Sequence, residues 1–311
     1  MNSLSIIFAG SGEFGLPTLR ALVEAGHKIV GVYTQPDRPA GRGRQLAATP
    51  IAEVAEKMGM AVTRTDDLNS ISPLPSADLM VVIAFGQKIS QGIANHPGLG
   101  SVNLHASLLP KFRGAAPINW AILSGEKITG NSVIRLAQRM DGGAILGQSQ
   151  LAIGESETAG ELHDRLAIDG AGLICRVATE LAGGTATERQ QDESAATVAP
   201  KLSRETAKLD WSASAEEVAR RINGLSPWPG CRVRLLDLAG TEISQLSLLR
   251  AKVASGSHAA SPGSVTESGT IAAGRGSVEV LEVQPAGKRP MLLADFQRGH
   301  RWTARLTLRS V

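Results

Sequence analysis

Two polar side chains capable of chemistry, Asn103 and His105, sit two residues apart in the stretch Ser101–Gly114, SVNLHASLLPKFRG. The first half of that stretch reads as a buried strand, and on a strand residues i and i+2 share a face. An amide donor and an imidazole therefore stand side by side. A Ser-Leu-Leu-Pro turn follows at once, so the pair lies near the carboxyl end of its strand, where open α/β sheets place ligands. A carboxylate joins them from Arg139-Met140-Asp141-Gly142-Gly143, where two glycines after an acid predict a tight bend with Asp141 at its tip.

These three are the histidine, amide and carboxylate set that the strand ends bring together; His27, His96, His163, His258 and His300 have surface or helix-face contexts. No G-x-S-x-G elbow supplies a serine nucleophile, and neither Cys175 nor Cys231 has an activating neighbour in sequence. Without a protein nucleophile, the trio suits attack of a substrate amine on a carbonyl. Asn103 and a protonated His105 donate to the developing oxyanion, each donor worth roughly 3 kcal/mol. Asp141 favours the imidazolium and relays the proton leaving the amine. The competing reading is a satisfied core histidine beside a turn aspartate.

The elements that must position this trio alternate as in a parallel sheet. Leu4–Ala9 is a strand, Phe14–Ala25 a helix and Lys28–Thr34 a second strand, which argues for an α/β, Rossmann-like sheet. Between the first strand and its helix, Gly10-Ser-Gly12-Glu-Phe-Gly15 matches the letters of a dinucleotide fingerprint. The acid expected at the end of the second strand is missing: that strand ends Val32-Tyr33-Thr34, and Asp37 follows a proline in a new loop. A tight strand-to-helix turn is the better reading, and a nicotinamide oxidoreductase the weaker one. Thr34–Pro50 is a loop carrying Arg38, Arg42 and Arg44, suited to a phosphate backbone. Pro50 opens a helix. Ala77–Ala84 is a central strand with a turn at Phe85–Ile89. Ala115–Leu123 is a helix, Gly130–Gln138 and Ala144–Ile153 are strands, and Glu157–Leu181 is a long amphipathic helix.

The polar stretch 183–206 reads as a linker from Arg189 onward. The expected division is a catalytic domain over 1–188, a linker over 189–206 and a second domain over 207–311. Beyond it, Ser214–Ile222 is helical with Ser212 as a plausible cap. Short alternating runs at Arg232–Leu236, Ile243–Leu249, Gly263–Glu267 and Ser277–Val283 suggest a small β-barrel of oligonucleotide-binding type. Overall charge is +3, but residues 207–311 hold fourteen Lys and Arg against nine acids, so this third carries the positive surplus. Two distant cysteines make neither a disulfide framework nor a metal site. The absence of a signal-like start and of any long apolar run predicts a cytoplasmic protein without a membrane partner.

The stretch Asn103–Trp120, NLHASLLPKFRGAAPINW, with a downstream Asp-x-Gly, resembles the signature of folate-dependent formyltransferases. The loop Gln35–Gly43 (QPDRPAGRG), Lys208–Ala215 (KLDWSASA) and Pro227-Trp228-Pro229 narrow it to the branch acting on a charged initiator tRNA. The resemblance runs nearly the whole chain. It implies a Rossmann-like domain that binds 10-formyltetrahydrofolate without metal or NAD, followed by a barrel that binds methionyl initiator tRNA, in a monomer. It implies catalysis by Asn103, His105 and Asp141. The folate pocket falls to Ser107, Leu108, Leu109 and Pro110 with Phe85, Gly86, Gln87 and Ile89. Arg42 reaches the acceptor end of the tRNA, with Arg38 and Arg44 beside it. The chain departs from the family pattern at Asn131 and Ser132, and at Arg139, where a glycine is usual. A formyltransferase acting on a small amine, such as an amino-sugar nucleotide or glycinamide ribonucleotide, and a non-catalytic tRNA-binding module are the rivals; the arginine loop and basic barrel favour tRNA.

Overall fold

Strongly apolar runs build the first layer. The structure, a computed structural model, describes residues 3–40, 45–256 and 258–311. Its contacts divide these into two compact units: residues 1–114, 130–151 and 163–198 in one, and 115–129, 152–162 and 199–311 in the other.

In the first unit a seven-stranded sheet runs in the order Ile145–Ala152, Ile128–Arg135, Ser101–His105, Leu79–Ile83, Ser5–Gly10, Lys28–Thr34, Val62–Arg64. The five strands from Ser101–His105 to Val62–Arg64 are mutually parallel, and Ile128–Arg135 pairs antiparallel to Ser101–His105. Parallel strands covered on both faces read as continuous apolar runs. Accordingly Ile6, Ile7, Phe8, Leu79, Met80, Val81 and Ile83 are fully buried. The chain winds outward from Ser5–Gly10 in both directions, so the switch of strand order lies there. The carboxyl ends beside it hold the Gly10 turn, Ala84–Phe85 and His105.

Two of the three motif glycines are explained by packing. A Cβ on Gly10 would lie 2.8 Å from the Ile83 carbonyl and 2.9 Å from the Phe8 ring, and one on Gly15 would lie 3.3 Å from Ile51 and Phe8. Thr49 caps the Pro50–Lys57 helix, its hydroxyl accepting from Ala52 N at 3.2 Å. The 34–50 segment is not wholly loop: Arg38–Ala40 and Gln45–Ala47 pair as a short antiparallel hairpin.

In the second unit an antiparallel sheet runs Ile271–Ala272, Ser277–Pro285, Glu242–Ala254, Cys231–Leu236, Thr307–Ser310, with Met291–Leu292 also on Ser277–Pro285. Ser264 bridges Thr307 while Val265 bridges Ile271, so one segment joins the two edges and curls the sheet toward a barrel. Val233, Leu235, Leu248, Val283 and Phe296 fill it, with Val218 and Ile222 of the Ala215–Gly224 helix. That helix is capped by Ser214, not by Ser212. Ser214 and Glu217 form a reciprocal capping box, while the Ser212 hydroxyl donates to Asp210 Oδ1 at 2.6 Å. No described helix is long and apolar enough to cross a membrane.

Candidate active site

The Ser101–His105 strand delivers its polar residues as the alternation requires. Val102 and Leu104 are buried in the core, His105 is 6% exposed, and Asn103 is half-buried. The Asn103 amide has no hydrogen-bond partner among the described residues. His105 Nε2 lies 2.9 Å from the Phe112 carbonyl oxygen, which can only accept, so the ring carries a proton at Nε2. Nδ1 is turned toward Asp141, 3.6 Å from Oδ1. The structure thus brings His105 and Asp141 together.

Asp141 sits in a left-handed backbone conformation, φ +52°, at the tip of the loop between the last two sheet strands. Its Oδ2 accepts from Gly114 N at 2.8 Å, which leaves Oδ1 for His105. Gly143 is obligatory there, since a Cβ would lie 1.8 Å from the Arg135 carbonyl. The loop is held by residues the sequence reading did not single out. Gln191 Nε2 donates to the Asp141 and Gly143 carbonyls at 2.7 and 2.8 Å. Its Oε1 accepts from the buried Arg113, which also donates twice to Glu193 at 2.9 Å. Arg113's hydrogen bond, ahead of its charge, holds the Glu193 carboxyl below its usual range. Arg139, the departure beside the catalytic loop, is exposed and pairs with that same Glu193. No local signal marked Arg113, which follows Lys111 by two residues; a buried guanidinium must find acceptors, and only the fold shows which of the two cations is buried.

The turn after the strand is tightly internal. Ser132 Oγ donates to the Ser107 carbonyl at 2.6 Å and accepts from Leu109 N at 3.0 Å, and Gln148 Nε2 reaches both Ser132 Oγ and the Leu109 carbonyl. Ser107 is fully buried and donates to Lys111 O; the Leu109 side chain packs on Ile134 and Ile145. Half-buried Leu108 and Pro110 are what this turn offers to a ligand. Of the second predicted wall, Phe85 is buried and its carbonyl accepts from Gln35, Gly86 has φ +76°, and Ile89 is half-buried. The Gln87 amide is committed to Leu68 N and Thr65 O. Asn131, the other departure, is fully buried, donating to Leu166 O and Asp169 Oδ2.

Arg38 is exposed on its hairpin and makes no ion pair among the described residues; Arg42 and Arg44 lie outside the described residues. Asp37 is engaged by Arg64 at 2.7 Å. Among the described residues no group of three or more His, Cys, Asp or Glu is placed to hold a metal ion.

A Rossmann-like sheet with an imidazole–carboxylate pair at its carboxyl ends, joined to a curled antiparallel domain, defines a class. The formyl transferase model matches residues 2–178 and the formyl transferase C-terminal domain model matches 201–301. The chain belongs to the formyl transferase family. Within it, the chain is 41% identical over 305 residues to methionyl-tRNA formyltransferase of Methylococcus capsulatus, covering 96% of this chain and 97% of that one. It is 42% identical over 304 residues to the enzyme of the same name from Chelativorans sp., covering 96% of each. Among solved structures, WlaRD, a sugar 3N-formyl transferase, is similar with TM-score 0.66 at 16% identity, over 93% of this chain and 100% of that one. HypX from Aquifex aeolicus in complex with tetrahydrofolic acid is similar with TM-score 0.63 at 16% identity; the chain spans 95% of itself but 47% of that protein. These two likenesses show the fold alone.

Proposed function

We propose that this formyltransferase moves the formyl group of 10-formyltetrahydrofolate to the α-amino group of methionyl initiator tRNA. The observation that carries the acceptor is the near full-length identity to methionyl-tRNA formyltransferases. The surface of the second unit supports it. Arg232, Arg234 and Arg309 project on the exposed side of adjacent strands, and Arg234 stands directly opposite Arg309. None of the three has an ion-pair partner among the described residues. Like charges placed opposite one another destabilise a sheet, and a phosphate backbone relieves that repulsion.

The donor set fits a formylated folate. Asn103 offers an amide N–H with no acceptor among the described residues, two residues from the His105 imidazole on the same strand. The folate, when bound, supplies an activated formyl carbon and a nitrogen leaving group. The amine nitrogen forms the new bond to that carbon as the bond to the folate nitrogen breaks; the amine loses one proton and the folate nitrogen gains one. Asn103 Nδ2–H holds the formyl oxygen as charge develops. His105 joins it by exchanging its Phe112 acceptor for that oxygen. The proton the amine loses passes by way of the Asp141 carboxylate to His105 Nδ1, giving an imidazolium that faces that carboxylate, and returns by the same relay to the folate nitrogen as it leaves. The decisive assay is incubation with 10-formyltetrahydrofolate and charged initiator tRNA, with an amino-sugar nucleotide in parallel. Formylmethionine on the tRNA is the expected product; formylation of the sugar alone overturns the reading.

A further inference from the structure

We propose that Gln191 is a positioning residue: locked by Arg113, it sets the Asp141 carboxylate against His105. The inference rests on the formyl-transfer reading for its kinetic arm. Gln191 lies in the polar stretch 189–206, where composition gives no hint of a role at a site, yet it is 8% exposed. Its amide orientation is unambiguous. Arg113 can only donate, and it places Nη2 and Nε 2.7 and 3.0 Å from one Gln191 oxygen. The NH2 group is thereby turned to the other side, where both of its donors meet main-chain carbonyls, those of Asp141 and Gly143. Arg113 is itself fixed by donating two hydrogen bonds to the Glu193 carboxylate.

The clamp acts where it is needed. Asp141 has a left-handed backbone, a conformation that persists only when its surroundings enforce it. Its carboxylate is split between Gly114 N and His105 Nδ1, so a small rotation of the loop moves Oδ1 out of reach of the ring. Tying the carbonyls of residues 141 and 143 to one side chain fixes both ends of that turn. The rival role for Gln191 is merely to accept hydrogen bonds from the buried Arg113.

Three variants separate the two roles. Gln191→Met keeps the volume but removes both donors. Gln191→Glu keeps and strengthens the partner of Arg113 while presenting oxygen to the two carbonyls. If Gln191 positions Asp141, both lower kcat, by about 10- to 100-fold for a sub-ångström to 1 Å displacement, with KM for either substrate little changed. If it only serves Arg113, Gln191→Glu retains wild-type kcat, and the proposal falls. The third variant adds Gln191→Met to Asp141→Asn. With the carboxylate gone, the second change is expected to cost less than about twofold in kcat, because residues acting as one unit are non-additive. Multiplying losses overturn the proposal. Amide hydrogen exchange over residues 139–144 reads the clamp without catalysis: exchange faster in Gln191→Met supports it, and unchanged exchange refutes it. A wild-type enzyme inactive in formyl transfer yet showing this change sinks the functional reading and leaves the clamp standing.

Discussion

Replacing Asp141 by Asn isolates the charge of the carboxylate from its structural duties. Asn tolerates the left-handed backbone about as well as Asp, and its amide oxygen can still accept from Gly114 N, so the loop is expected to keep its course. What disappears is the anion 3.6 Å from His105 Nδ1. Two unit charges at that separation interact by about 5 kcal/mol in an effective dielectric of ~20. The Asp141 side chain is 14% exposed, so solvent screens part of this. An effective loss of about 3 kcal/mol in stabilising the imidazolium corresponds to roughly a hundredfold fall in kcat. The assay is steady-state formylation with both substrates varied, accompanied by thermal unfolding. The expected result is a fall in kcat of that order, KM for tRNA nearly constant, and Tm within about 3 °C of wild type. A kcat within about fivefold of wild type refutes the charge-pair reasoning.

Other consequences follow from single contacts. Hydrogen bonding to Arg250 holds the Glu161 carboxyl down to about 2. A depressed folded value gives stabilisation that is present above the ordinary carboxylate range and lost as pH falls from about 4.5 toward about 2. Because this pair is partly exposed, the effect is expected below about 1 kcal/mol; urea midpoints of wild type and Glu161→Gln should converge in that acid window, and parallel curves would argue against it. Gly143→Ala drives a Cβ to 1.8 Å from the Arg135 carbonyl. It should lower Tm markedly and abolish formylation together, and an unchanged Tm contradicts the packing at this turn. Changing Arg234 and Arg309 to Ser should weaken tRNA binding and flatten its dependence on log salt by about two charges; an unaltered slope removes this face from the tRNA contact.

How much of this was legible beforehand depended on the range of the forces involved. The strand–helix–strand opening, the shared face of Asn103 and His105, and the tip position of Asp141 follow from local rules: period-two alternation, apolar runs and Gly-Gly turn chemistry. Local rules also left errors. Ser214-x-x-Glu217 is a capping-box pattern in the sequence, yet Ser212 was the expected cap, because which serine caps depends on where the helix begins. The 34–50 segment was expected as pure loop, since a hairpin this short has no periodicity to detect.

What tertiary structure alone decided is the state of the site. His105 spends its Nε2 proton on Phe112, whose left-handed φ of +61° brings the carbonyl back to the ring. Arg113 is buried, and burial obliges it to find acceptors that lie 78 and 80 residues further along the chain. No local pattern carries such a demand, because desolvation of a charge is a property of the folded interior. The sequence by itself determined which groups could do the chemistry. The fold determined how their hydrogen bonds are shared out, and so brought Gln191 from an apparent linker to the back of Asp141.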